Sequence, residues 1–116
     1  MSGMMTEKDV GSTTISTEVL NKIARLTTLS VQGVSRMSSS TGLLNRLLDR
    51  EDHKGAKVLL KDNKVYVDVY VVLISDMNVR KISREIQERV SRAISEMVGM
   101  DVGGVNIHIM DIDFSA

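Results

Sequence analysis

At 116 residues the chain is sized for one domain, and a hydrophobic content of 42% is enough to build a core. Its 15 basic and 15 acidic residues cancel, which argues against a phosphate-backbone binder, and three aromatics (Tyr66, Tyr70, Phe114) are too few for a base-stacking platform. The absence of cysteine excludes disulfides and thiolate metal sites and suits a reducing cytosol.

In chain order, residues 1–12 read as a flexible polar tail, with no apolar stretch before a cleavage site and hence no expected signal peptide. Thr13-Thr14-Ile15 suggests a short edge strand. Ser16 or Thr17 then offers an N-cap oxygen, and Glu18 suits the positive end of a helix dipole. Val19, Leu20, Ile23, Ala24 and Leu26 recur at helical spacing, so a first helix is expected to about Leu29. Gly33 stops the pattern before a short strand, Val34 to Met37. Residues 38–54 read as an insertion between strands, with Leu43, Leu44, Leu47 and Leu48 on one face of a short helical segment.

The strongest β pattern follows. Ala56, Val58 and Leu60 alternate up to Asp62-Asn63, a pair that tolerates positive φ and predicts a two-residue hairpin turn. Val65, Val67, Val69, Val71 and Leu73 then share one face of a long strand. The hairpin register sets Val58 against Val67, Lys57 against Asp68, and Lys61 against Lys64. Asn78 is the expected cap of a second helix, whose apolar stripe is Val79, Ile82, Ile86, Val90, Ala93, Ile94 and Met97, with Glu85-Arg89 and Glu88-Arg92 outside it. Gly99 ends it, and a last strand runs from Val105 to about Phe114.

A shift of 71 positions lays Ile23, Leu26, Leu29, Val31, Gly33 and Val34 on Ile94, Met97, Met100, Val102, Gly104 and Val105. Each half thus reads helix, Val-x-Gly-Val, strand, with glycine allowing the turn from helix into sheet. The predicted architecture is α+β: two helices on one face of a mostly antiparallel, roughly four-stranded sheet, in a split βαβ-like layout. Residues 13–114 form its single domain. The longest unbroken apolar run, Val69 to Ile74, falls far below the roughly 20 residues of a spanning helix, so membrane contact is expected to be peripheral, without direct insertion.

Catalytic chemistry has little to stand on. His53 lies in a charged linker and reads as solvated; His108 reads as an ordinary strand residue. Asp111 and Asp113 share a strand face but lack a third ligand nearby in sequence, so a solvated strand end is the better reading than a cation site. The glycines of Gly99 to Gly104 follow a helix instead of preceding one, so they lack the helix N-terminus of a phosphate loop. No GxxG occurs, which excludes a KH-type loop. No catalytic, cofactor-binding or metal residue is expected, and no cofactor.

Two features point to protein contacts. If both helices cover the valine face of the long strand, its other face carries Tyr66, Asp68, Tyr70, Val72 and Ile74 and stays open yet partly apolar, with Tyr66, Tyr70, Val72 and Ile74 as candidate contacts. Met110, Ile112 and Phe114 share a parity on the last strand and complete a candidate interface. Internal packing of that face is the alternative. The second feature is the Leu43, Leu44, Leu47 and Leu48 stripe, which reads either as a partner-docking anchor or as a satellite of the core.

The blocks Ile15-Ser16-Thr17-Glu18-Val19-Leu20 with Ile23-Ala24, Val31-Gln32-Gly33-Val34, Val65 to Val72, Ile86-Gln87-Glu88-Arg89-Val90 with Ala93-Ile94, and Gly104 to Ile112 occur in one order over residues 13–114. Together they resemble the alkaline shock protein family of bacterial envelope-stress proteins. The resemblance implies a cytosolic protein without enzymatic activity, tied to cell-envelope homeostasis. Some members of that family self-associate and sit at the membrane through a membrane-anchored partner. It supplies no catalytic or ligand residue. The expected function is therefore a non-enzymatic adaptor or scaffold that self-associates and docks to a protein partner, without nucleic acid. The alternatives are a small RNA- or ribosome-associated protein, and a ligand-regulated partner of a lipid-metabolism enzyme.

Overall fold

The computed structural model describes residues 16–38 and 55–115. Helix α1 spans Thr17–Leu29. Its start is set by Ser16, whose side chain accepts a hydrogen bond from the Val19 amide at 3.2 Å, satisfying one of the free donors of the first turn. Leu20, Ala24 and Thr28 are buried along one side of it. The Thr28 hydroxyl survives burial because it donates to the Ala24 carbonyl at 2.7 Å.

Gly33 turns the chain out of α1 at φ +105°, a conformation that side chains rarely adopt. Space is a second constraint there, since a Cβ at Gly33 would lie 2.5 Å from Cδ1 of Ile82. Strand β1, Val34–Met37, follows, and strand β2 is Ala56–Lys61. Asp62 and Asn63 both take positive φ (53° and 64°) and close the hairpin into β3, Lys64–Ile74. The pairings Val58 with Val67, Lys57 with Asp68 and Lys61 with Lys64 are those the sequence predicts.

Helix α2 spans Val79–Val98, capped by the Asn78 side chain on the Lys81 amide at 3.0 Å and ended by Gly99 at φ +72°. Ile82, Ile86, Val90 and Ile94 are its buried residues, whereas Val79 and Met97, at the ends of the expected stripe, are exposed. Glu85 and Arg89 pair at 2.7 Å on the outer side. Strand β4 is Asp101–Asp113.

The sheet has four strands and is mostly antiparallel: β1 and β2 both pair antiparallel with β3. The β3–β4 pair is parallel and runs the whole length of β3, so β3, α2 and β4 form a βαβ unit of adjacent strands. Because β4 fills one edge of β3 from Lys64 to Ile74, β1 and β2 must share the other. β1 takes Val71 to Leu73, and β2 takes Lys64 to Val69. They are two pieces of one edge, meeting at Tyr70, whose carbonyl accepts from the Ser38 amide and whose amide donates to the Gly55 carbonyl, each at 2.8 Å.

Both helices lie on one face. Val65, Val67, Val69, Val71 and Leu73 are fully buried beneath them, together with Leu20, Ala24, Ile86, Val90 and Ile94. Each valine, leucine or isoleucine among them contributes roughly 1.5–3 kcal/mol on burial, so this layer is a main source of the stability of the fold.

Candidate functional site: the open face of the sheet

The alternation that buries the odd residues of β3 sends Tyr66, Asp68, Tyr70, Val72 and Ile74 to the other face. Register adds the flanking residues: Lys57, Leu59 and Lys61 from β2, and Gly104, Asn106 and His108 from β4. Leu59 is 59% exposed beside Tyr66.

Asp68 is the hub of the centre. Its Oδ1 accepts from His108 Nε2 at 3.0 Å and from Asn106 Nδ2 at 3.2 Å. The Tyr70 ring stacks on the His108 ring, with centroids 4.4 Å apart and planes 12° from parallel. Partial burial raises the Tyr70 hydroxyl above its ordinary pKa, and the nearby Asp68 charge adds to the rise. Chemically this is a closed cluster. Asp68 accepts the hydrogen bond of His108 Nε2 and the Tyr70 ring stacks on the imidazole, so the geometry is not that of a base beside a nucleophile.

A second cluster lies at the far end of the same face. Asp113 Oδ1 accepts from the Ser115 hydroxyl at 2.6 Å and from the Ser115 amide at 3.0 Å. Its Oδ2 accepts from the Ser35 hydroxyl at 2.7 Å, and Arg36 Nη1 stands 3.9 Å away. The Ser115 hydroxyl first, then Ser35 and the Ser115 amide, hold the Asp113 pKa at about 2. Asp113 thereby ties β1 to β4 across β3, a clasp that spacing alone had presented as a solvated strand end. Asp111 turns to its own chain, accepting from the Ile112 amide at 2.8 Å. Among the described residues no group of three or more His, Cys, Asp or Glu side chains could hold a metal ion.

The seven residues expected to form an interface do not form one surface. Tyr66, Tyr70 and Ile74 are on the open face and half-buried. Val72 is on that face but only 2% exposed, so it is already covered within the chain. Ile112 pairs with Leu73 and packs against the helix-side core, not on the open face. The cause is a bulge: Val71 pairs with Ile109 but Val72 with Asp111, so Met110 is an extra residue that reverses the parity of everything after it. Met110 itself is 48% exposed and Phe114, beyond the strand, 81%. Leu43, Leu44, Leu47, Leu48, His53, the Thr13–Ile15 strand and the tail lie outside the described residues.

Sequence reasoning missed the Asp68–His108–Asn106 cluster. Its signal was present: Val67-Asp68-Val69-Tyr70-Val71 and Val105-Asn106-Ile107-His108-Ile109 share one alternation, and laying one on the other gives the observed parallel register.

Among known proteins, the solved structures of MamM-CTD variants share this fold, one at TM-score 0.53 and 11% identity over 84% of this chain and all of that one. A zinc form of a MamM-CTD variant matches at TM-score 0.52 and 10% identity, covering 85% of this chain and 89% of its own. In sequence, the uncharacterized protein YqhY of Bacillus subtilis is 31% identical over 107 residues, 90% of this chain and 79% of its own length. The uncharacterized protein Spy1614 of Streptococcus pyogenes is 28% identical over 102 residues, 84% of each chain. No helix among the described residues is long and apolar enough to cross a membrane. The model of the alkaline shock protein 23 family, described as having a cell envelope-related function, matches residues 5–114, and the chain belongs to that family.

Proposed function

We propose that this protein is a non-enzymatic adaptor or scaffold of cell-envelope homeostasis, acting in the cytoplasm by self-association and by docking to a protein partner that can itself be membrane-anchored. The observation that carries the reading is the open face, where Leu59, Tyr66, Tyr70 and Ile74 remain available while the polar groups among them are occupied with one another. Such a surface offers contact area without a reactive group. Residues 13–114 act as one domain in this proposal, and the insertion at 38–54 presents Leu43, Leu44, Leu47 and Leu48 to the partner. Support comes from Ser38, its first residue, and Gly55, the residue after its last, which both bond to the main chain of Tyr70, so β1 and β2 meet there along one edge of β3.

Crosslinking and recovery of the tagged full chain from a producing bacterium tests the adaptor reading. A discrete partner should be lost from the Leu44→Ser plus Leu47→Ser variant while its melting temperature holds. A lowered melting temperature with the partner retained would instead make the leucines part of the core. Strong flotation of the purified protein with anionic vesicles would overturn docking through a protein alone.

A further inference from the structure

The two edges of the sheet are guarded differently. The β1/β2 edge is broken between Met37 and Ala56, and its β2 half carries Lys57 and Lys61. Interruptions and lysines are what keep an edge from pairing with another chain. β4, on the opposite edge, continues for 13 residues. Its Val105 to Met110 stretch holds no Lys, Arg, Asp or Glu, and Ile109 is 37% exposed. No described strand pairs with its outer side.

Ladder geometry says which backbone groups face outward. Tyr70 and Ile74 donate to Gly55 and Gly33, so even-numbered residues of β3 bond toward β1 and β2, and odd-numbered ones toward β4. In a parallel ladder, a residue bonds to the two neighbours of its register partner. Val69, registered with Ile107, therefore bonds to Asn106 and His108, leaving Val105, Ile107 and Ile109 aimed outward. The Val105 carbonyl is already covered, by Gln87 Nε2 at 3.0 Å. Ile107 and Ile109 remain, one on each side of His108.

We infer that this stretch is the contact between two copies of the chain, paired antiparallel about a two-fold axis at His108, so that Ile107 of each bonds with Ile109 of the other. A second copy is the occupant because the free groups are mirrored about one residue, so two identical strands match each donor with an acceptor. Counted through the bulge at Met110, the same register sets Asp111 toward Asn106 and Asp113 toward Gly104, so no acid meets an acid. An axis at Ile107 would instead set Asp101 toward Asp113. The inference rests on the self-association proposed above and moves its main contact from the sheet face to the sheet edge.

The test is light scattering on the full chain over a range of concentrations, for wild type, Ile109→Pro and Ile109→Thr. Proline deletes an amide that points away from β3, so the internal ladder is spared, while threonine shortens the side chain but keeps the amide. Wild type and Ile109→Thr should double in mass as concentration rises, and Ile109→Pro should need at least tenfold more protein to do so. Hydrogen exchange on wild type covers the case of an unfolded proline variant: the Ile107 and Ile109 amides should slow as concentration rises. If Ile109→Pro still pairs like wild type but Leu59→Glu does not, the face is the contact and the edge inference falls alone. A wild type that stays single at every concentration overturns both readings. Protection at Ile107 and Ile109 that ignores concentration means a segment of the same chain covers the edge, and also overturns the inference.

Discussion

The two faces of β3 are built from one strand and behave as different materials. Its odd residues are five aliphatic side chains, all fully buried beneath two helices. Its even residues are mixed and make different kinds of contact: Tyr66 covers Gly103, Asp68 holds His108, Tyr70 stacks on His108, and Val72 is buried between Arg36 and Asp111. The covered face shows that alternation suffices where burial is uniform. The open face shows that parity says nothing about what a residue touches once flanking strands carry bulges.

Val72→Glu breaks the comparison most sharply. If Val72 belongs to the interior, an unpaired carboxylate there lowers stability by about 3 kcal/mol or more, measured by urea unfolding. Unchanged unfolding together with lost self-association would return Val72 to an open interface. On the covered face, Leu73→Ala should cost about 2–5 kcal/mol, and its neighbour Ile74→Ala clearly less, since only Leu73 leaves a cavity in packed surroundings. Equal losses would mean the two faces are packed alike.

Gly103→Ala probes the open face at closer range. A Cβ there would collide with the Tyr66 ring, so the variant should lose about 1–3 kcal/mol through overpacking. Tyr66→Ala should erase most of that loss, and a double-mutant cycle with no coupling would remove the contact from the account.

The smallest effect concerns the Asp113 clasp. Its folded pKa, about 2, lies below the value of 3.8 for a free aspartate. A depressed acid adds stability that is complete above its unfolded pKa and is lost as pH falls through the folded one. The stability gap between wild type and Asp113→Asn should therefore be constant near neutrality and shrink between about pH 4 and pH 2. A gap that does not change across that window would show that the hydrogen bonds from Ser115 and Ser35 do not favour the carboxylate over the protonated acid.

Much of the molecule follows from local chemistry. Asp62-Asn63 dictates the turn because both residues accept positive φ, and Asn78 and Gly99 bracket α2 because an amide side chain caps one end and an αL residue frees the other. The valine ladder of β3 and the Ile82, Ile86, Val90, Ile94 stripe follow from their periods of 2 and 3.6. Family membership, too, is carried by residues in sequence order. Only tertiary structure decides where β4 lies, because a βαβ crossover pairs strands on either side of a whole helix, Lys64 with Asp101 onward, and the alternation the two strands share becomes a register only once they are neighbours. That register brings Asp68 to His108 and Asn106, while the bulge at Met110 turns Ile112 toward the core. It also leaves the uncharged stretch from Val105 to Met110 without a neighbouring strand on its outer side among the described residues, since whether a strand lies in the middle or at the rim depends on its neighbours and not on its own residues.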